Sequence, residues 1–416
     1  MTRPSPQRVA VVLAGAGARG AYEAGALSIV LPRLEQAGIR PNMFIGTSSG
    51  AINACLFAAN AHLSAEEQAK NVLAVWRGIE IGDVLRPVVP TAIVAAVSWA
   101  GQLARLPGMR LTGLLDTAPL HSTAARRVDW TQLAANLAAG CPRGLALTAT
   151  SGGTGRSVVF VDRPADNGDL PVEDTRAIDY VSTRIGVDHM LASAAIPVLF
   201  PPVEVTEPES FRGWYSDGGL RLNAPLKPAL ALDADALVIV ATHPAEYPKE
   251  PRPSCSQAPP DVDDTLVQLL DAALADPLVE DVRTLMKINQ LVSGPPVRSP
   301  AGRERAKVPF LFLGPRARGT LAAEAERAYD ERFCRVRGVL RRVTSPDLPL
   351  LATFLAGDGD RRGDVLSYVQ FDRGFIDRAI ALGQADAKAA LGPVDRHVPW
   401  RWTTLSDPEV EHTERS

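Results

Sequence analysis

Short apolar runs alternate along the N-terminal half of the chain with segments whose apolar residues recur at helical spacing. Residues 8–15, RVAVVLAG, are apolar and β-branched and end in glycine, which is typical of a buried strand of a parallel sheet. Residues 21–37 have the apolar spacing of a helix. A strand over 42–46, NMFIG, and a helix over 49–60 repeat the unit. This alternation predicts an α/β fold with a mainly parallel sheet.

Further apolar runs predict strands downstream, and helical spacing dominates the C-terminal part. Residues 144–162 have the pattern of two strands around a glycine-rich turn, and residues 234–244 and 307–315 each that of one more strand. Residues 244–261 combine proline, serine and charge, which is typical of a surface loop. Residues 364–392 are predicted to be helical. The C-terminal part therefore adds strands and helices to the α/β pattern.

Composition and net charge indicate how many domains the chain could form and which partners it could bind. The 416 residues are 46% hydrophobic and 22% charged, which allows one large domain or two. A formal net charge of -3 makes nucleic acid an improbable partner. The four cysteines are widely scattered, as expected of a protein in a reducing, cytoplasmic compartment. No His, Cys or Asp cluster has metal-binding spacing, so we predict neither a metal nor a cofactor.

Two apolar stretches need a membrane interpretation. The N-terminus, MTRPSPQR followed by VAVVLAGAGA, imitates a secretory signal, but its apolar part is short and breaks into glycines that lead into a helix. Residues 88–106 are apolar yet contain Pro90, Gly101 and Gln102, and they fall short of about 20 uninterrupted apolar residues. We predict a buried or interfacial helix there, serving as a core element or as a lid that touches a membrane surface.

Two glycine-containing loops follow predicted strands, where the loops of an open α/β sheet gather at one edge and bind ligands. In AGAGARG, residues 14–20, the glycines permit a turn whose amides point outward at a helix start and can bind an anion. In GTSSG, residues 46–50, the pattern G-x-S-x-G places Ser48 on a sharp turn between strand and helix that exposes its hydroxyl. Gly46 and Gly50 leave room for that turn.

A serine hydroxyl needs a base to become a nucleophile, and Asp217 is the best candidate. It follows the strand-like sequence GWYS and precedes Gly218 and Gly219, again at a turn that ends a strand. An ionised carboxylate held within hydrogen-bond distance in a partly dry cleft could accept the serine proton.

These motifs resemble, in content and order, those of the patatin-like phospholipases: GAGARG, then GTSSG, then Asp-Gly-Gly at 217–219. Residues 113–120 and 192–203 also resemble bacterial members. The resemblance implies a three-layer patatin-like α/β fold, with a mainly parallel central sheet flanked by helices and a mostly helical C-terminal extension. It assigns residues 8–228 to a patatin-like catalytic domain and 229–416 to a continuation with one further strand pair plus helices.

The resemblance also implies a chemistry and its residues. It makes the protein a serine acyl hydrolase of the phospholipase A or lysophospholipase kind, acting on lipid or ester substrates, with peripheral membrane contact as a further expectation. Ser48 would be the nucleophile and Asp217 the proton acceptor of a Ser-Asp dyad. The loop residues that would form the oxyanion hole are Gly15, Gly17, Ala18, Arg19 and Gly20. Many members have three consecutive glycines there, so Ala16 would be strained if its backbone needed positive φ.

Three alternatives stay open at this point. Ser48, Asp217 and His243 follow the chain order of an α/β-hydrolase triad. The GAGARG loop could belong to a dinucleotide-binding oxidoreductase, although Glu35 lies within a predicted helix and not at the end of the second strand. A non-catalytic lipid-binding or regulatory protein with the same fold is made conceivable by Ala16.

Overall fold

A computed structural model of the chain describes residues 8–103, 111–164, 168–173, 176–222, 225–244, 276–291, 297–298, 304–305, 307–334, 346–356 and 362–391. The strands are β1 (Val9–Leu13), β2 (Met43–Thr47), β3 (Gly144–Ser151), β4 (Ser157–Asp162), β5 (Ile178–Ser182), β6 (Val203–Val205), β7 (Gly213–Asp217), β8 (Ala236–Val240), β9 (Val297–Arg298), β10 (Glu304–Arg305) and β11 (Phe310–Leu313).

The helices surround these strands. They are α1 (Gly20–Gln36), α2 (Ser49–Ala59), α3 (Ala65–Arg77), α4 (Ile81–Val84), α5 (Val88–Leu103), α6 (Ala118–Arg127), α7 (Trp130–Ala138), α8 (Val187–Ser193), α9 (Gly219–Leu222), α10 (Leu226–Ala231), α11 (Asp276–Leu291), α12 (Thr320–Phe333), α13 (Asp347–Ala356), α14 (Arg362–Val369) and α15 (Arg373–Leu391). Short 3₁₀ helices occupy Gly17–Arg19 and Glu209–Phe211.

One large sheet organises the fold in the order β11-β8-β1-β2-β3-β4-β5, with β7 paired to β3 and β6 paired to β7. The pairs among β11, β8, β1, β2 and β3 are parallel, and so is β4 with β5, whereas β3 runs antiparallel to β4 and to β7. The mainly parallel sheet predicted from the sequence is confirmed. The antiparallel pairing of β7 was not predicted, and it decides where Asp217 lies.

Alternate residues of β1 pack on opposite faces of the sheet, which produces three layers. Val9, Val11 and Leu13 join a core that includes residues of α1, α2, α3 and α15. Ala10 and Val12 join a second core with residues of α10 and α11. A strand buried on both faces is expected to be apolar throughout, as β1 is.

The segment after residue 228 contributes to this same sheet. Strand β8 lies between β1 and β11 in the parallel part, and α15 packs along α1. Their backbones approach so closely that a Cβ on Gly383 would lie 2.1 Å from the carbonyl oxygen of Tyr22. The predicted helical stretch 364–392 is interrupted after α14, and the predicted loop at 244–261 lies outside the described residues from residue 245 onward.

Helix α5 covers most of the apolar stretch 88–106, and residues 104–106 lie outside the described part. Its side chains Val94, Val97 and Trp99 are 64%, 53% and 58% exposed. Within the described ranges, no helix has both the length and the apolar character required to cross a bilayer.

Candidate active site

Ser48 lies on the sharp connection between β2 and α2 that the sequence predicted. Its backbone has φ 56° and ψ -128°, a rare conformation for a residue other than glycine, and such strain is often found at functional sites. The Ser48 amide donates to the hydroxyl of Ser193 at 3.0 Å and to its carbonyl at 3.2 Å, which fixes the turn on α8. A Cβ on Gly46 would lie 2.2 Å from the carbonyl of Gly50, so only glycine fits.

Strands β2 and β7 bring Ser48 and Asp217 together by meeting end to end along one edge of β3. The last residue of β2, Thr47, pairs with Thr148, and the last residue of β7, Asp217, pairs with Ala149, the next residue of β3. Successive residues of a strand advance by about 3.3 Å, so the carboxyl ends of β2 and β7 are neighbours. The two predicted residues therefore share one site although β7 runs antiparallel to β3.

The backbone and one carboxyl oxygen of Asp217 are held by hydrogen bonds. Its amide donates to the carbonyl of Ala195 at 2.8 Å, and its carbonyl accepts from the hydroxyl of Thr150 at 3.0 Å. Carboxyl oxygen Oδ1 accepts the amide of Gly219 at 2.7 Å. Among the described residues, Oδ2 is buried and has no hydrogen-bond donor within normal geometry. One oxygen thus orients the group, and the other is available as an acceptor.

Burial raises the pKa of Asp217 from its usual value of 3.8 to about 7, because the charged carboxylate loses its hydration. The Ser48 hydroxyl and the Gly219 amide act in the opposite direction and lower this pKa. The effect of Ser48 places its hydroxyl beside the carboxyl group, although no hydrogen bond of normal geometry joins the two. A carboxyl with a pKa near neutrality is suited to general base catalysis.

Ala16 is unstrained, contrary to the concern raised by the sequence. Its φ of -166° is extended backbone that any residue adopts, whereas Gly17 has φ 57°. A Cβ on Gly17 would also lie 2.2 Å from the carbonyl oxygen of Tyr368. The position in this loop that requires glycine is therefore 17, and the chain has glycine there.

The amide of Ala16 donates to the hydroxyl of Ser49 at 3.0 Å. The Ser49 side chain therefore fastens the glycine-rich loop to the serine turn. Gly15 lies against that turn as well, since a Cβ on it would be 2.0 Å from the Cβ of Ser48. The loop and the serine turn are therefore one packed unit.

The amides of Gly17 and Ala18 remain as donors in this loop. These residues begin the 3₁₀ helix, and the first amides of a helix have no acceptor within it. By contrast, the amide of Arg19 donates to the carbonyl of Ala16 at 3.1 Å, and that of Gly20 to the carbonyls of Gly17 and Ala18. The amides of Arg19 and Gly20 are thus committed within the loop, whereas those of Gly17 and Ala18 have no acceptor within the 3₁₀ helix.

The Arg19 guanidinium is occupied by contacts with other side chains of the protein. The side chain is 3% exposed and donates through Nε to the Ser367 hydroxyl at 2.7 Å. Nη1 lies 2.9 Å from Nε2 of His243, and Nη2 lies 3.1 Å from Oδ1 of Asp364. The guanidinium also stacks 4.1 Å from the ring centroid of Tyr368. A buried cation requires such partners, and here they fasten the loop to α14 and to the end of β8.

His243 is occupied by contacts other than the dyad. Its Nε2 contacts Arg19 as described, and its Nδ1 lies 3.3 Å from the hydroxyl of Thr242. Burial and the charge of Arg19 lower the pKa of His243 well below its usual value, so the ring is neutral. With both ring nitrogens engaged in this way, the geometry disfavours a Ser-Asp-His triad.

An apolar cavity opens beside Ser48 and Gly17. The empty space inside the cavity and in the open solvent at its mouth amounts to about 940 Å³ in total. Its walls are formed mainly by one face of α2, one face of α6, the ends of α3 and α8, and the residues around the end of α14. The apolar residues that line it include Ile52, Leu56, Trp76, Ile79, Val84, Leu120, Ala124, Val128, Met190, Ile196, Leu199, Phe200, Val369 and Phe371. None of the α5 side chains that the structure describes is among these lining residues.

Nothing in the described ranges brings together three or more His, Cys, Asp or Glu side chains in a way that could hold a metal ion. The dinucleotide hypothesis lacks its acidic residue as well. Glu35 lies within α1, and β2 ends at Thr47, directly before Ser48.

A serine on a strand-to-helix turn next to a buried carboxyl, within a three-layer α/β fold, is an arrangement suited to nucleophilic catalysis. A sequence profile described as Patatin-like phospholipase matches residues 11–230, and the chain belongs to that family. Family membership supports lipid acyl hydrolysis as the general function.

Other comparisons add little. Among solved structures, the chain is similar to one titled "Crystal structure of VipD from Legionella pneumophila", with 12% identity, 92% of this chain and 67% of that chain covered, and a TM-score of 0.31. At that TM-score the likeness carries no argument about fold or function. No curated protein sequence matches the chain significantly.

Proposed function

We propose that the protein is a serine lipid acyl hydrolase that works through a Ser48-Asp217 dyad and an acyl-enzyme intermediate. The observation that carries the proposal is the meeting of β2 and β7 on β3, which sets the strained Ser48 turn beside a buried carboxyl with one uncommitted oxygen. Both halves of a nucleophile and base pair are thus held by the sheet itself.

In the first step, Oδ2 of Asp217 takes the hydroxyl proton of Ser48 while Oγ attacks the ester carbonyl. The amides of Gly17 and Ala18 bind the developing oxyanion. When the tetrahedral intermediate collapses, the carbon-oxygen bond to the alcohol breaks, and the alcohol leaves with the proton from Asp217. In the second step, a water molecule gives its proton to Asp217 and attacks the acyl-enzyme, which releases the fatty acid and returns the proton to Ser48.

The apolar cavity supports a lipid acyl group as the part of the substrate that is recognised. Burying apolar surface favours a hydrocarbon chain by roughly 0.8 kcal/mol per methylene, whereas a charged head group would lose its hydration there. The head group is therefore expected to remain outside, with the acyl chain in the cavity. A phospholipid, a lysophospholipid or a neutral glyceride all meet this requirement.

We further propose that the protein is cytoplasmic and contacts lipid surfaces through α5. This helix contains no charged residue and exposes Val94, Val97 and Trp99, and tryptophan is favoured at membrane interfaces. The double substitution of Val94 and Val97 by Asp should reduce binding to phospholipid vesicles in a sedimentation assay, with turnover of a water-soluble ester unchanged. Val172→Asp, at an exposed valine outside α5, is the control; equal vesicle binding by all three proteins would contradict the assignment.

The test of the hydrolase proposal compares wild type with Ser48→Ala and Asp217→Asn on a panel of phospholipids and glycerides. Released fatty acid is quantified by mass spectrometry, and a fluorophosphonate probe reports covalent labelling. Wild type should release fatty acid and carry the label on Ser48, and both variants should lose turnover by at least about 10³-fold. Ser122→Ala, at an exposed serine on α6, should behave as wild type.

The same experiment addresses the non-catalytic alternative. That reading depended on strain at Ala16, and the extended backbone of Ala16 removes this reason. A folded wild-type protein that neither accepts the label nor releases fatty acid from any substrate would overturn the hydrolase proposal and favour a lipid-binding role.

A further inference from the structure

We propose that the cavity beside Ser48 selects substrates by acyl length, accepting one unbranched chain of about eight carbons whose end is limited by Leu56, Ala124 and Val128. The inference rests on the proposed function, because it takes Ser48 as the point where the acyl carbonyl is bound. It adds the substrate class, esters of medium-chain fatty acids, and the residues that set the limit.

The depth of the cavity can be measured along one face of α2. Ser49, Ile52 and Leu56 line the cavity, and their spacing of three and four residues places them on one stripe of the helix. Ser49 directly follows the proposed nucleophile, and Leu56 is the lining residue of α2 that lies furthest from it. With a rise of about 1.5 Å per residue, seven residues of helix correspond to about 10 Å.

The inner end of the cavity belongs to the main hydrophobic core. Leu56, Val128 and Met190 are 1%, 4% and 1% exposed and join one large cluster that also includes Ala124. The lining residues Leu199 and Val369 belong to a separate, smaller cluster. The cavity thus runs from the smaller cluster towards the core.

Helix α7 closes the way beyond Leu56. The Asn136 side chain of α7 donates to the carbonyls of Ala58 and Ala59 at 2.9 Å each, so α7 packs across the C-terminal end of α2. A longer chain cannot continue along α2 past this contact. It has to bend or leave part of its length in water.

Hydrocarbon geometry converts this depth into a chain length. With carbon-carbon bonds of about 1.5 Å, an extended chain advances by roughly 1.3 Å per carbon, so about 10 Å holds about eight carbons. Each methylene that moves from water into the cavity should improve binding about fourfold. Methylenes beyond the limit should give no gain.

The lining offers no polar recognition for the far end of the chain. The Thr123 hydroxyl donates to the carbonyl of Asp83 at 2.8 Å, and the exposed Arg127 donates to the carbonyl of Gly78 at 2.9 Å. Both polar side chains on the α6 wall thus donate to backbone carbonyls of neighbouring segments. A saturated hydrocarbon end fits such a surface, and a charged or hydroxylated end would lose hydrogen bonds with water.

The first test measures kcat/KM for p-nitrophenyl esters from butyryl to palmitoyl with wild type, Ala124→Leu and Ala125→Leu. Ala124 lines the cavity at 5% exposure, whereas its neighbour Ala125 is exposed and matches it in residue type and helix. The kcat/KM of wild type should rise about fourfold per methylene up to about eight carbons and then level or fall. Ala124→Leu should shift the maximum to shorter chains by about two or three carbons, with Ala125→Leu unchanged.

The second test measures binding without catalysis. Saturated fatty amides of graded length, which are neutral and lack an ester, are titrated calorimetrically into Ser48→Ala and into the double variant Ser48→Ala, Ala124→Leu. Affinity should increase with length up to about eight carbons in the first protein and stop increasing about two or three carbons earlier in the second.

These two tests separate failure of the length limit from failure of the hydrolase proposal. The length limit would be overturned if kcat/KM or affinity changed by the same factor per methylene from hexanoyl to palmitoyl. It would also be overturned if Ala124→Leu did not move the chain length at which either quantity is greatest. Absence of ester turnover in every protein, with the length dependence of amide binding intact, would overturn the hydrolase function alone. Where Ala124→Leu fails to fold, Leu56→Ala replaces it and should move the maximum to longer chains.

Discussion

Substituting Gly17 by alanine tests whether the glycine-rich loop supplies the oxyanion donors. Gly17 has φ 57°, and a Cβ there would lie 2.2 Å from the carbonyl oxygen of Tyr368. Contacts between non-bonded carbon and oxygen atoms are normally above about 3 Å, so the loop or α14 must move by about 1 Å. The backbone conformation alone costs an alanine about 1–2 kcal/mol.

A shift of that size should displace the amides of Gly17 and Ala18 from the oxyanion. Removing a single oxyanion donor typically lowers kcat by about 10²–10³-fold, so we expect a loss of at least about 10² in kcat. KM should change little, because the oxyanion forms only in the transition state. Steady-state kinetics on a soluble ester, with circular dichroism to verify folding, measure this effect.

Gly38→Ala is the matched control. Gly38 has φ 74°, and a Cβ there would have nothing within 4 Å. It should therefore cost a similar 1–2 kcal/mol in conformational free energy and leave kcat unchanged. The reasoning is refuted if folded Gly17→Ala retains kcat within about threefold of wild type, or if Gly38→Ala loses as much activity as Gly17→Ala.

One pH titration and three further substitutions test the rest of the site. Because the pKa of Asp217 is raised to about 7 and its ionised form is the base, kcat/KM should rise about tenfold per pH unit below 7 and level above it. Because the folded-state pKa of Asp217 lies above its unfolded value near 3.8, the contribution of this group to the free energy of unfolding is fully present below pH 3.8 and is lost as the pH rises through 7. The loss is on the order of a few kcal/mol. Urea unfolding of Asp217→Asn should lack this pH-dependent loss. Ala16→Gly should leave kcat unchanged and reduce the free energy of unfolding by roughly 0.5–1 kcal/mol, because the extended backbone of Ala16 gains nothing from glycine. Arg19→Lys should lower kcat about tenfold or more with little change in KM, since one ammonium cannot contact the Ser367, His243 and Asp364 side chains together.

The elements that carry the site could be predicted because their signals are local. Strand β1 is an uninterrupted apolar run. The serine turn is indicated by the glycines at 46 and 50, since a Cβ added at either position would lie under 3 Å from backbone atoms. The observed bounds of α1, Gly20–Gln36, differ by one residue from the predicted helix. Local steric rules determine such features, so a single sequence contains them.

The pairing partners could not be predicted, because they depend on contacts between distant parts of the chain. Nothing local indicates that β7 runs antiparallel to β3 and follows β2 along the same edge. The contacts of Arg19 are equally remote, since Ser367 is 348 positions away. The glycine-rich motif predicted an anion site at the loop amides, but it gave no sign that the Arg19 side chain would hold the loop through these contacts.

The residues after 228 are needed for the site that lies before them. Strand β8 is the neighbour of β1 on the side opposite β2, and without it β1 would be an apolar edge strand. Without α14, Arg19 would lose the Ser367 and Asp364 contacts, and Gly17 would lose the Tyr368 carbonyl against which it packs. Leaving a buried cation without its partners costs about 3–5 kcal/mol, a large part of the stability of a typical domain. We therefore infer that the region matched by the family profile, 11–230, does not hold the glycine-rich loop in place by itself.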